Sequence, residues 1–255
     1  MNKNLRFGFV AFGLFLVWLI ASLWVDQDLV LPSPIQVGAA IVGLVGTRVS
    51  LMAIFASLGR LAIALSTSFL LGTLIGFLAG FRKGIQAIAS PLATIFRTIP
   101  VVSIIVIVLM FFGFRFAPYV ITFLMLFPIS YQAALEGVSR VDSELVDVYK
   151  LEDNHFGRML LHCYLPLMAG YLRTAMLQSA GLGVKVLVMA EYLAQTPDSI
   201  GNRLYLAKAM LEYDQVFAWT IVLIVIALLI ETAINRSRSF LQKSPSPLNN
   251  DRKFE

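Results

Sequence analysis

Charge is what this sequence has least of. Asp, Glu, Lys and Arg make up 14% of its 255 residues, against roughly 25% in a soluble domain. A single cysteine, Cys163, excludes an internal disulfide. The two histidines, His155 and His162, share one polar segment, with no cysteine pair or carboxylate at ligand spacing, so they give no metal site. No G-x-x-x-x-G-K-[ST] string occurs, which excludes ATP binding through a P-loop. No intramembrane Ser/His, His/Glu or Asp/Asp constellation suggests an enzyme.

What the chain has instead is apolar length. Hydrophobic residues are 58% of it, and the charges are segregated. Residues 7–25, 61–81, 98–114 and 116–135 contain no charged side chain, and 215–230 form a slightly shorter run of the same kind. Residues 165–195 are apolar apart from Arg173, Lys185 and Glu191. A helix needs roughly 20 such residues to cross a hydrocarbon core. The pattern predicts an all-α membrane protein with about six transmembrane helices over residues 1–235 and a polar, disordered tail over 236–255. The first run follows Lys3 and Arg6 as a signal peptide would. It is long for one and lacks a small-x-small cleavage site before Asp26, so it reads as a retained helix.

Lys and Arg accumulate on the cytoplasmic side of membrane proteins. Six spans with the N-terminus inside place 13 basic residues in the cytoplasm, Arg97 among them, and leave Arg48, Arg115, Arg203 and Lys208 outside. Both termini are therefore expected in the cytoplasm. The net charge of +5 has this topological origin and does not argue for nucleic acid.

Between spans one and two, "LPSPIQVGAAIVGLV" predicts an extended start and then a short amphipathic helix. Gly72, Gly76 and Gly80 repeat every fourth residue on span two, a smooth stripe suited to close helix packing. "FRKGIQAIASP" reads as a short cytoplasmic turn into a third span beginning near Thr98-Ile99-Pro100. Arg60 and Arg173, near span ends, are expected to reach out to the interface.

The segment 142–164 is unusual for a link between spans. Asp142 or Ser143 can cap a helix, with Glu144 and Asp147 near its positive end. Leu145, Val148 and Tyr149 share one face, and Leu151 follows before Glu152 and Asp153 end the stripe. Asn154 can cap a second helix carrying Phe156, Met159, Leu160 and Cys163 on one face, ending at Leu165-Pro166. The expectation is a helix–turn–helix on the membrane surface.

This segment resembles the cytoplasmic coupling loop of bacterial ABC-importer permeases. The family pattern runs Glu-Ala-Ala, three residues, Gly, then about a dozen residues to Leu-Pro. Asp147-Val148-Tyr149, Asp153 and Leu165-Pro166 occupy those places. Further blocks, "LPSPIQVGAAIVGL", "SLGRLAIALSTSFLLGTLIGFLAG", "SPLATIFRTIPVVSIIVIVLMFFGF", "GVKVLVMAEYL" and "SIGNRLYLAKAMLEYDQVFAWTIVLIVIALLIE", are similar in order and spacing to the nitrate/sulfonate/taurine branch. The resemblance covers residues 28–235. It implies a type I importer permease in the bacterial inner membrane. Its implied partners are two ATPase subunits that bind ATP and Mg, a second permease copy or homologue, and an extracytoplasmic binding protein. Any cofactor then belongs to the ATPase and none to this chain. The solute would be a small anion or a vitamin precursor.

Asp153 stands where the family has glycine. Either it makes the turn itself, or the turn has moved to Asn154 and Asp153 addresses the ATPase. The path or gate residues suggested are Gln178, Lys185 and Glu191. For Glu191, structural bonding to neighbouring helices stands beside a gating role. Lys185 and Glu191 are six positions apart and poorly placed to pair on one helix face. Two other readings remain: a scaffold subunit of an energy-coupling-factor importer, and a stand-alone secondary transporter.

Overall fold

The computed structural model describes the backbone of residues 3–25, 27, 30–142, 144, 146, 147 and 155–241. The described residues are almost wholly helical. Helix α1 (Lys3–Val25) is followed by α2 (Pro34–Gly46), α3 (Arg48–Phe81), α4 (Lys83–Thr98) and α5 (Val101–Ser139). A turn of helix, Phe156–Met159, passes through a π-helical turn, Leu160–Tyr164, into α6 (Leu165–Ala194). The short α7 (Ile200–Ala209) and the long α8 (Tyr213–Leu241) complete the chain. Among the described residues, three stretches are long and apolar enough to cross a membrane by themselves: Arg48–Phe81, Val101–Ser139 and Tyr213–Arg236.

Local sequence explains the element starts. Ser33 caps α2 through a reciprocal pair with Gln36, and Pro34 occupies the first turn, where its missing N–H costs nothing. Ser199 caps α7 by accepting the Asn202 N–H at 3.0 Å. The π turn ahead of α6 widens the backbone just before Pro166, with the Leu165 N–H bonded to the Leu160 carbonyl.

Helix α5 is two helices. Gly113 has φ 67° and ψ 174°, a conformation open essentially to glycine alone. The core around it shows the consequence. Ile104, Ile105 and Val108 share one cluster with Ala117 and Ile121. Along a straight helix Ile105 and Ile121 would lie about 24 Å apart. The arm 101–112 therefore folds back on the arm 114–139. Helix α4 extends this antiparallel pairing, with Ala89 and Ala93 packed beside Phe127, Tyr131 and Leu135 and the Ser90 and Tyr131 hydroxyls 2.8 Å apart.

The expected turn at 81–91 is thus corrected. It is helix from Lys83, because Ala89 and Ala93 bury one face while Lys83, Gln86, Ser90, Thr94 and Arg97 align on another. Span three is α4 plus the first arm of α5, jointed at Ile99-Pro100. Arg97 accordingly leaves the cytoplasmic group, since it lies about 21 Å along this run from Lys83. Span two is also longer than expected, 34 residues.

The bundle makes six passes between two ends. α3 and the second arm of α5 run parallel and touch through the glycine stripe. A Cβ at Gly76 would collide with the Tyr131 carbonyl, and one at Gly80 with Val138. α6 runs the other way, from Met168 against Gly137 to Gly183 against Leu61 and Leu126. α8 returns, burying Trp219 with Ala53, Val188 and Ile200. α1 joins through Trp18, which stacks on Phe217 and donates its Nε1–H to the Pro32 carbonyl at 3.2 Å. Arg48, Arg115, Arg203 and Lys208 fall at one end; Arg82, Lys83, Arg140, Arg158 and Arg236 fall at the other. The polar segment from Asn235 continues α8 through Leu241; residues 242–255 lie outside the described residues.

Candidate functional site: a buried clamp and a polar cavity

Two polar constellations interrupt the apolar bundle. The first centres on Glu191, which is fully buried. Arg60 Nη1 lies 3.0 Å from Glu191 Oε1. Ser57 Oγ lies 2.9 and 2.8 Å from the two carboxylate oxygens, and the Gly201 N–H donates to Oε2 at 3.3 Å. Ser57 Oγ also accepts the Ile200 N–H at 3.0 Å. Arg60 also donates from Nη2 to the Pro197 carbonyl at 3.1 Å and from Nη1 to the Asp198 carbonyl at 3.2 Å.

The loop between α6 and α7 is shaped for this. Gln195 and Asp198 take positive φ, each 49°, in the loop whose Pro197 and Asp198 carbonyls face Arg60. Thr196 Oγ1 donates to the Phe114 carbonyl at 2.8 Å, tying the same loop to the corner after Gly113. Glycine is required at 201, where a Cβ would strike the Tyr192 amide and the Glu191 backbone. A buried carboxylate is tolerable only when paired and hydrogen-bonded, and here two helices, α3 and α7, supply the partners of the Glu191 side chain on α6.

The clamp corrects the reading of Arg60. Its side chain is 13% exposed and held by Glu191, so it does not reach out to the interface. Ser57 and Arg60 were missed as partners of Glu191. The available signal was their spacing of three on span two, which puts a hydroxyl and a cation on one helix face.

The second constellation is a cavity of about 640 Å³ lined from three helices. α4 contributes Arg97, the second arm of α5 contributes Gln132 and Glu136, and α6 contributes Tyr171, Thr174 and Gln178. Gln132 Nε2 donates to Glu136 Oε1 at 2.9 Å. Of the three suggested path residues, Gln178 lines this cavity. Glu191 sits in the clamp, and Lys185 is exposed on α6 away from both. Arg97, Gln132 and Glu136 went unnoticed because Arg97 was assigned to a cytoplasmic turn. The α4 polar stripe and the Gln132–Glu136 spacing of four were the legible clues.

Of the 142–164 segment, the structure describes the two ends. Asp142 caps the first turn by accepting the Glu144 N–H at 3.0 Å. Val146, Met159, Cys163 and Tyr164 are buried with Ala134, Val138 and Met168. The second helix therefore does not end at Leu165-Pro166; it continues into α6, and its Met159–Cys163 face packs on its own bundle. Asp147 is exposed at the surface. Leu145, Val148, Tyr149, Leu151, Glu152, Asp153 and Asn154, with the Phe156 side chain, lie outside the described residues.

A six-pass bundle with a polar cavity and a polar segment at one end suits a solute path with a docking element. Residues 72–244 match the family described as binding-protein-dependent transport system inner membrane component. The chain belongs to this family. It is an ABC-importer permease, an all-α membrane protein. It is also similar to the taurine transport system permease protein TauC of Escherichia coli (strain K12). The two are 26% identical over 237 residues, covering 91% of this chain and 86% of the relative. Membership in a binding-protein-dependent family sets aside the scaffold and secondary-transporter readings.

Proposed function

We propose that this chain forms the membrane path of an importer for a small sulfonate-like solute, taurine being the first candidate. The supporting observation is the polar cavity among α4, α5 and α6, with Gln178 on its wall. An extracytoplasmic binding protein delivers the solute. Two ATPase subunits bind ATP and Mg and dock on the 142–164 segment through Leu145, Val148, Tyr149 and Leu151. A second permease copy or a homologue completes the path. Both termini face the cytoplasm, which puts the basic-rich end of the bundle on the inner side. The chain itself makes and breaks no bonds. The clamp at Glu191 acts as a brace that fixes the outer loop and α7, leaving the cavity walls to carry the solute.

The test is co-purification. The chain, expressed with its ATPase and binding protein, is expected to yield a detergent-stable complex. Its ATP hydrolysis should rise when solute-loaded binding protein is added. A chain that retains no ATPase under these conditions contradicts the reading.

A further inference from the structure

The cavity carries two opposite charges that do not pair with each other. Among the described residues, Arg97 and Glu136 form no ion pair, and Arg97 has no hydrogen-bonding partner. Both are exposed to the cavity they line. Each is placed at a cost. Arg97 lies well inside the helical run that begins at Lys83, where an ionised side chain is expensive unless it serves the path. Glu136 sits in the last turn of α5, beside the negative end of the helix dipole, where an acid is disfavoured. Gln132 orients one carboxylate oxygen of Glu136 and leaves the other open.

We propose that Arg97 and Glu136 form a two-charge station for a short zwitterionic solute. Arg97 pairs with the solute's oxyanion, for which its forked donors suit a sulfonate or carboxylate. Glu136 receives the ammonium. Gln178 and Thr174, from the facing helix, supply neutral hydrogen bonds that hold the solute without trapping it. The station rests on the permease reading and adds to it the residues that select by charge. It predicts that a solute carrying both charges is preferred over one carrying the oxyanion alone.

The test has two arms on the full-length chain. In the first, Gln178→Cys is made in a Cys163→Ala background. Its modification rate is measured with an anionic reagent (2-sulfonatoethyl methanethiosulfonate) and a cationic one (2-(trimethylammonium)ethyl methanethiosulfonate). A unit charge nearby in a confined cavity changes such local concentrations by on the order of tenfold. Arg97→Gln should lower the anionic-to-cationic rate ratio by about that factor, Glu136→Gln should raise it, and Arg97→Lys should leave it near the starting value. In the second arm, vesicles containing the complete importer take up taurine or 2-hydroxyethanesulfonate, which lacks the ammonium. Glu136→Gln should narrow the preference for taurine, and Arg97→Gln should depress uptake of both. Rate ratios unmoved by both substitutions, or a preference unchanged in Glu136→Gln, overturns the station. Absence of ATP-driven uptake by the unaltered complex counts against the permease reading, and the reagent ratios still decide whether the two charges govern the cavity.

Discussion

Arg60 and Glu191 meet across 131 residues of chain, with Nη1 and Oε1 3.0 Å apart. The pair joins the middle of α3 to the end of α6, and through Gly201, Pro197 and Asp198 it fixes the loop that leads into α7. Removing one partner of a buried pair leaves an uncompensated charge and costs about 3–5 kcal/mol. Glu191→Met and Arg60→Met should each destabilise the bundle on this scale. Replacing both residues with Met should cost less than the two single changes together, by about 1–3 kcal/mol. Denaturant unfolding in mixed micelles measures all three. Strict additivity would show that the two side chains do not support one another.

Gly113 offers a test of backbone conformation free of packing. A Cβ there meets nothing within 4 Å, so only its φ of 67° opposes substitution. Gly113→Ala should destabilise by about 1–3 kcal/mol. Gly59→Ala, also in open space but in regular helix, should be neutral or stabilising. Thermal stability of the purified variants compares them. Equal behaviour of the two would mean that the reversal between the arms of α5 does not depend on glycine.

These two features divide what the sequence discloses from what it hides. The apolar runs disclosed the helical class and the number of passes, because burial in lipid demands uninterrupted helix. The ends of α4 were hidden, since its amphipathic pattern, with Ala rather than large apolar residues on the packed face, resembles a polar connector. Moving that boundary carried Arg97 from the cytoplasm into the cavity. Glu191 was visible as a charge in a span, but its partners Ser57 and Arg60 lie on another helix, and no local pattern reports a contact over such a separation. Met159 and Cys163 were correctly placed on one face. What that face touches, namely Ala134, Val138 and Met168, follows only from how the passes assemble.

The proposed sidedness of the bundle rests on its basic residues. With Arg97 moved into the cavity, 12 basic residues remain on the proposed inner side against four on the outer. In a Cys163→Ala background, a membrane-impermeant thiol reagent added to intact cells should label Thr47→Cys and spare Arg140→Cys. Labelling of Arg140→Cys from outside would invert the topology.

The proposed docking segment is tested by charge. Val148→Arg and Leu151→Asp should abolish coupled uptake while the chain remains inserted, since each puts a charge into the proposed apolar contact with the ATPase. Asp153→Gly separates a turn from a partner contact. Weaker ATPase binding, and a wild-type complex more salt-sensitive than the variant, is the result expected if Asp153 addresses a basic site on the ATPase. Tighter assembly with identical salt dependence would make position 153 a simple turn.

The most direct measurement is solute uptake into proteoliposomes that contain this chain with its ATPase, supplied with the binding protein outside and ATP inside. The account predicts accumulation of taurine that requires all three proteins and hydrolysable ATP, and that stops when any one is left out. Uptake by this chain alone, driven by an ion gradient and indifferent to ATP and to the binding protein, would contradict it.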